Sequence, residues 1–147
     1  MELLLYKISY LTVAIGGSIV VFFVLFKRSW SKFNFVYSLL NLSMIVWALG
    51  RYALLVVDNY DLALIWVRVL YIGSILVHVF FLHAILIFLN KEKSRKLILG
   101  VVYFNALILL FVNFIDLFLG TNFFIRDLIP KIHFNYYENP NNLFRKE

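Results

Sequence analysis

The chain contains no cysteine. That excludes a disulfide framework, a thiolate metal site and a cysteine nucleophile. Only two prolines occur, Pro130 and Pro140, both in the C-terminal stretch that also holds much of the asparagine. Charge is scarce as well, at 15% of residues, where soluble domains carry about 25%. No G-x-S-x-G, P-loop or His-Glu-x-x-His pattern is present, so the familiar catalytic constellations have no residues to stand on.

What remains is apolar. Of the 147 residues, 63% are hydrophobic and 19% aromatic. The excess falls in blocks of roughly 20 residues or more, the length needed to cross a hydrocarbon core of about 30 Å at about 1.5 Å per residue. This is an integral membrane protein. The formal net charge of +6 does not indicate a nucleic-acid partner, because the basic residues sit at the ends of apolar blocks, where topology requires them. The first block is not a cleaved signal: Lys27, Arg28 and Trp30 follow it, with no small-residue cleavage motif.

The fold class expected is all-α, a polytopic membrane helical bundle. Four spans cover residues 8–26, 35–57, 62–89 and 97–119, within a transmembrane region of residues 1–119. Residues 120–147 form a tail that reads as a loop or short interfacial helix, partly disordered, with Phe123, Phe124, Tyr136 and Tyr137 suited to the headgroup level. The first loop carries Lys27, Arg28 and Lys32, and the third Lys91, Lys93, Arg95 and Lys96; the second, around Asp58 and Asp61, has no lysine or arginine. By the positive-inside rule the first and third loops are cytoplasmic and both termini extracytoplasmic. No internal repeat is visible, so an inverted-repeat transporter is not suggested. Ser9, Thr12, Gly16, Gly17 and Ser18 put small residues at helical spacing on the first span, as a close helix–helix contact would require.

Two arginines stand inside apolar sequence. Arg51 lies about six residues below the outer end of the second span, Arg68 about six residues into the third, and Asp116 three or four below the outer end of the fourth, all at similar depth. Asp58 and Asp61 lie just above. An intramembrane charge costs about 2.5–3.5 kcal/mol at the bilayer centre and less near the interface. Two readings compete. Arg51 and Arg68 snorkel to the headgroups, or pair with Asp58 and Asp61 as a structural clamp. Alternatively, Arg51, Arg68 and Asp116 form an outer-leaflet polar pocket that binds a ligand.

The third span also carries an intramembrane polar stripe, Tyr71, Ser74 and His78, spaced by three and four residues. His78 reads as a neutral histidine hydrogen-bonded across helices. His83 is five residues further on and about 140° around the helix, so the two histidines cannot share a metal, and no metal site or cofactor is expected. Asn105, Asn113 and Asp116 on the fourth span, and Asn34, Ser38 and Asn41 on the second, read as interhelical glue.

The segment NLSMIVWALGRYAL, a short acidic loop, and then LIWVRVLYIGSILVHVFFLHAILIFL together resemble the N-terminal seven-transmembrane region of bacterial and archaeal sensor histidine kinases. In that family the second span carries a small–Trp pattern like Gly50 and Trp47. The third opens with a Trp and a basic residue, like Trp66 and Arg68, and ends Phe-rich. A loop like GTNFFIRDLIP follows the fourth span and leads through a Tyr and a Pro-Gly into a fifth; here YYENPNNLF lacks the glycine. The resemblance covers most of the chain and four of the seven helices. It implies a sensor input module with its N-terminus outside, followed in the family by signalling domains such as PAS and a kinase.

The expected function is therefore a non-catalytic membrane signal-input module, truncated and without its kinase; His133, in the tail, is not a phosphoacceptor on a soluble helix. Its partners are the lipid bilayer and other membrane helices or a signalling protein, with a homo-oligomer left open and no nucleic acid. One rival is a small oligomeric transporter or channel subunit, in which proton coupling would fall on Asp116. The other is a structural membrane protein without a ligand.

Overall fold

The computed structural model describes the backbone of residues 2–26, 31–119, 125–131 and 134–140, and the side chains of residues 3–26 and 31–115. Four helices run α1 (Glu2–Phe26), α2 (Lys32–Leu54), α3 (Tyr60–Phe88) and α4 (Lys96–Leu119). All four are long and apolar enough to cross a membrane. α1 begins at Glu2 rather than Ile8, and α2 ends at Leu54 rather than Val57. The spanning part is all-α, as the apolar blocks require, because a helix satisfies its own backbone groups in a solvent that offers no hydrogen bonds.

Local chemistry sets the helix ends. Ser31 caps α2 by accepting from the Asn34 amide at 3.1 Å, and Asn59 caps α3 by accepting from the Leu62 amide at 3.1 Å. Each side-chain oxygen satisfies a main-chain donor that the helix leaves open. At the far end of α3, Asn90 takes a left-handed backbone, φ 54°. Its amide bonds the Ile87 carbonyl at 3.0 Å and the Lys91 amide bonds Leu86 at 2.8 Å. That pair of bonds is a Schellman closure, and asparagine is one of the few side chains that accepts the left-handed position.

Each helix packs chiefly on its sequence neighbour, α1 on α2, α2 on α3 and α3 on α4, with the α2–α3 contact the most extensive. Glycine makes that contact close. A Cβ on Gly50 would lie 2.8 Å from the Leu70 Cβ, and one on Gly73 would lie 2.5 Å from the Trp47 nitrogen. Beside this seam sits a cluster of Leu54, Ala63, Val67 and Leu70, covered by Trp47, Trp66 and Tyr71. Lipid is as apolar as leucine, so small residues and dense packing, rather than escape from water, hold membrane helices together. On α1 the expected small-residue contact is confined to Gly17, which abuts Ile45; Gly16 meets nothing within 4 Å. Most of α1's large side chains, Ile15, Phe22 and Phe23 among them, are exposed, as a lipid-facing helix demands.

The tail departs from the expected loop or short interfacial helix. Strands β1 (Ile125–Lys131) and β2 (Phe134–Pro140) pair antiparallel, and β2 lies against α2 and α3. Tyr136 and Tyr137 belong to β2. Lys27, Arg28, Phe123, Phe124 and His133 lie outside the described residues.

Candidate functional site

The polar groups inside the helices sort into three places. The first is the end of the bundle where α2 stops, α3 starts and α4 stops. Arg68, in the third turn of α3, is only 5% exposed. It does not snorkel; its whole side chain is inside the protein. Arg51, in the last turn of α2, is half-buried. Both arginines have interaction partners, as do Asp58, Tyr60 and Tyr71. Asn113 of α4 is 1% exposed, and its side-chain amide donates to the Arg68 carbonyl at 3.2 Å. Arg68 and Asn113 are thus brought together across α3 and α4. Asp116 stands on α4 three residues beyond Asn113, on the same face by helical geometry; its side chain lies outside the described residues.

The second place is mid-helix. Ser74 and His78 line a groove between α3 and α4, and Asn105 lines it from the other side. Tyr71, expected on the same stripe, packs against the α2–α3 cluster. Among the described residues His78 bonds within its own helix: its Nδ1 lies 2.7 Å from the carbonyl oxygen of Ser74. The buried polar residues of α2 are likewise satisfied at home. Ser38 and Ser43 donate to the carbonyls of Asn34 and Leu39, and Asn41 donates to that of Tyr37. Of the residues expected to act as glue between helices, Asn113 bonds across α3 and α4, and Asn34 has an interaction partner as well.

The third place was not anticipated. At the opposite end of the bundle, the Lys32 ammonium at the start of α2 pairs with Glu92 in the α3–α4 loop. Glu92 Oε1 lies 3.5 Å from His83 Nε2, and His83 Nδ1 lies 2.8 Å from the Tyr103 hydroxyl of α4. The Lys32 hydrogen bond holds the Glu92 carboxyl below its ordinary value of 4.5, so it is ionised at neutral pH. A histidine carrying its proton on Nε2 faces that carboxylate, and Nδ1 then accepts from the Tyr103 O–H. At 3.5 Å the contact with Glu92 is electrostatic rather than a hydrogen bond, and among the described residues His83 Nε2 has no hydrogen-bond partner. The signal for this chain of groups lay in the antiparallel hairpin. His83 and Tyr103 both stand roughly two turns from the loop joining their helices, which puts them level.

Among the described residues, no three His, Asp or Glu side chains converge where a metal could bind. With four spanning helices and a buried intramembrane arginine in place, comparison with known proteins decides the family. The family model described as the N-terminal 7TM region of histidine kinase matches residues 9–138. The chain belongs to that family. No curated protein and no solved structure matches it. As a member of the histidine kinase 7TM region, it is a multi-pass protein of the cell membrane and a sensor-input module, in contact with the lipid bilayer. The match takes in all of α2, α3 and α4 and most of α1, so all three polar places belong to the family region.

Proposed function

We propose that this histidine kinase 7TM region receives its stimulus at the end of the bundle marked by Arg51, Arg68 and Asp116. The same reading places that end outside the cell and makes the helices themselves non-catalytic, phosphoryl transfer being the task of an output domain. The observation that carries it is the burial of Arg68. A guanidinium that is 5% exposed within a membrane helix costs free energy to place there. A structural role alone is served as well by a well-packed apolar residue. The Asn113 bond to the Arg68 carbonyl gives a movement at this end a direct route into α4. Loop charge supports the orientation: Lys91, Lys93, Arg95 and Lys96 lie at the opposite end, where the positive-inside rule places the cytoplasm.

Arg68→Leu provides the test. The variant is expected to insert and fold, as judged by expression and thermal stability in detergent, and to lose the signalling response read by a reporter of the phosphorelay it feeds. A full-amplitude response in the folded variant would remove the site. A reporter fused into the α2–α3 loop tests the orientation separately, and a cytoplasmic signal there would reverse it.

A further inference from the structure

The mid-helix groove contains a hydroxyl that behaves unlike the others. Ser9, Thr12, Ser18, Ser38 and Ser43 each donate to the main-chain carbonyl one turn back. This is how a hydroxyl in a membrane helix satisfies itself. Ser74 does not: among the described residues its Oγ has no hydrogen-bond partner. The Asn105 amide facing it across the groove has none either. His78 completes the set. Its Nδ1 is committed to the Ser74 carbonyl, which can only accept, so Nδ1 carries a proton, and in the neutral imidazole Nε2 is then the lone-pair acceptor. Ser74 is the middle residue of α3 and Asn105 lies near the middle of α4, so these groups stand far from either headgroup layer. An unsatisfied polar group in hydrocarbon is costly. Ser74 is half-buried and His78 and Asn105 are exposed along the groove, so all three are open to an occupant that bonds them.

We propose that this groove binds a neutral, membrane-soluble small molecule whose hydroxyl group donates to His78 Nε2, with Ser74 and Asn105 completing its hydrogen bonds. The cavity measures about 410 Å³, within the range of about 300–1,000 Å³ usual for small-molecule sites. Its lining includes no Lys, Arg, Asp or Glu, so a charged ligand would find no counter-ion at mid-membrane. It reaches from Val101 to Leu109 on α4, about 12 Å at 1.5 Å per residue. A spanning helix would need a seam of about 30 Å, so the groove is short for a helix and the right length for a ligand. The remaining walls, Val102, Ala106 and Leu109 among them, are apolar and suit a hydrocarbon body. Binding here is separate from the Arg68 site, and either can fail while the other stands.

The probe is a 4-alkylphenol carrying a diazirine on its chain, used with the full chain in lipid nanodiscs. Its methyl ether, which cannot donate, is the control. The phenol is expected to photolabel residues 74–79 and 101–109 saturably, with unlabelled 4-alkylphenol competing, and the ether to label them about tenfold less, the worth of one good hydrogen bond. His78→Leu should lower phenol labelling by a similar factor, and His78→Gln, which keeps an acceptor, should retain most of it. Equal labelling by phenol and ether, or labelling spread over the lipid-facing Phe22 and Phe23 of α1 in the same proportion, would overturn the proposal. That comparison needs no variant, so it decides even if a His78 substitution fails to fold. Because the chain has no cysteine, Asn105→Cys adds a single thiol. Ready disulfide dimerisation through it would put a second copy in the groove and also overturn the proposal.

Discussion

Gly73 of α3 lies so close to Trp47 of α2 that an added Cβ would sit 2.5 Å from the Trp47 main-chain nitrogen and 2.9 Å from the Ser43 carbonyl oxygen. Both obstacles are backbone, and neither can swing away. Gly73→Ala is therefore expected to push the two helices apart and lower stability by about 1–3 kcal/mol, the usual cost of overpacking. A thermal melt of the purified protein in detergent reads this directly. Gly16→Ala is the control, since nothing lies within 4 Å of its Cβ position and alanine is the better helix former by up to about 1 kcal/mol. Equal melting of Gly73→Ala and wild type would show that the α2–α3 seam is looser than described.

Asn113 makes one side-chain bond and leaves one acceptor unpaired. Its amide donates to the Arg68 carbonyl at 3.2 Å, while among the described residues its buried Oδ1 has no partner. Asn113→Ala loses the bond and leaves a void, and should cost about 1–2 kcal/mol, near the upper end for interhelical bonds in membranes. Asn113→Leu loses the same bond but removes the orphan oxygen and fills the space, so it should cost less. If leucine destabilises more than alanine, the amide does more than the one bond described.

These two contacts show what the sequence could and could not disclose. The four helices were legible because apolar length alone specifies a span. Their ends were less so: Ser31 and Asn59 extend α2 and α3 beyond the apolar runs by capping, a local effect that hydropathy does not register. Arg68 was singled out by its cost, but hydropathy does not distinguish a snorkelling arginine from a buried one. Spacing along one helix does not name partners on another. It lines up Tyr71, Ser74 and His78 on α3 but does not show that Tyr71 packs against the α2–α3 cluster. It separates His83 from His78 but does not show that His83 meets Tyr103 of α4. Partners across helices depend on how the helices rotate against each other, and that is settled by close contacts such as Gly73 on Trp47. The strand pair of the tail had no sequence signal, because its short segments show neither regular alternation nor a recognised two-residue turn.

The His83–Tyr103 bond should account for a measurable part of the α3–α4 contact. Tyr103→Phe removes the hydroxyl but keeps the ring, which meets the His83 ring edge-on with centroids 5.7 Å apart. A cycle of Tyr103→Phe, His83→Leu and the double variant should give a coupling of about 0.5–1.5 kcal/mol. Unfolding in denaturant is the measurement, and additive effects would mean that the two side chains do not communicate.

The Lys32–Glu92 pair predicts a specific acid dependence. Glu92 has its carboxyl held below 4.5, first by the hydrogen bond from Lys32, whereas in the unfolded chain it titrates near its ordinary value. A depressed folded pKa means that the pair's contribution is fully present above about 4.5 and is lost as pH falls through the lower folded value. Across the neutral range it should not vary. Carboxyl NMR of Glu92 is expected to show a midpoint below 4.5, and Lys32→Gln should return it toward that figure. The variant's stability deficit at neutral pH should be small, because the pair is solvent-exposed, and it should vanish in strong acid, where wild type has lost the pair as well. A Glu92 midpoint that does not move in Lys32→Gln would show that the start of α2 is not held to the α3–α4 loop by this ion pair, and would leave His83 as the group that sets the carboxylate's charge.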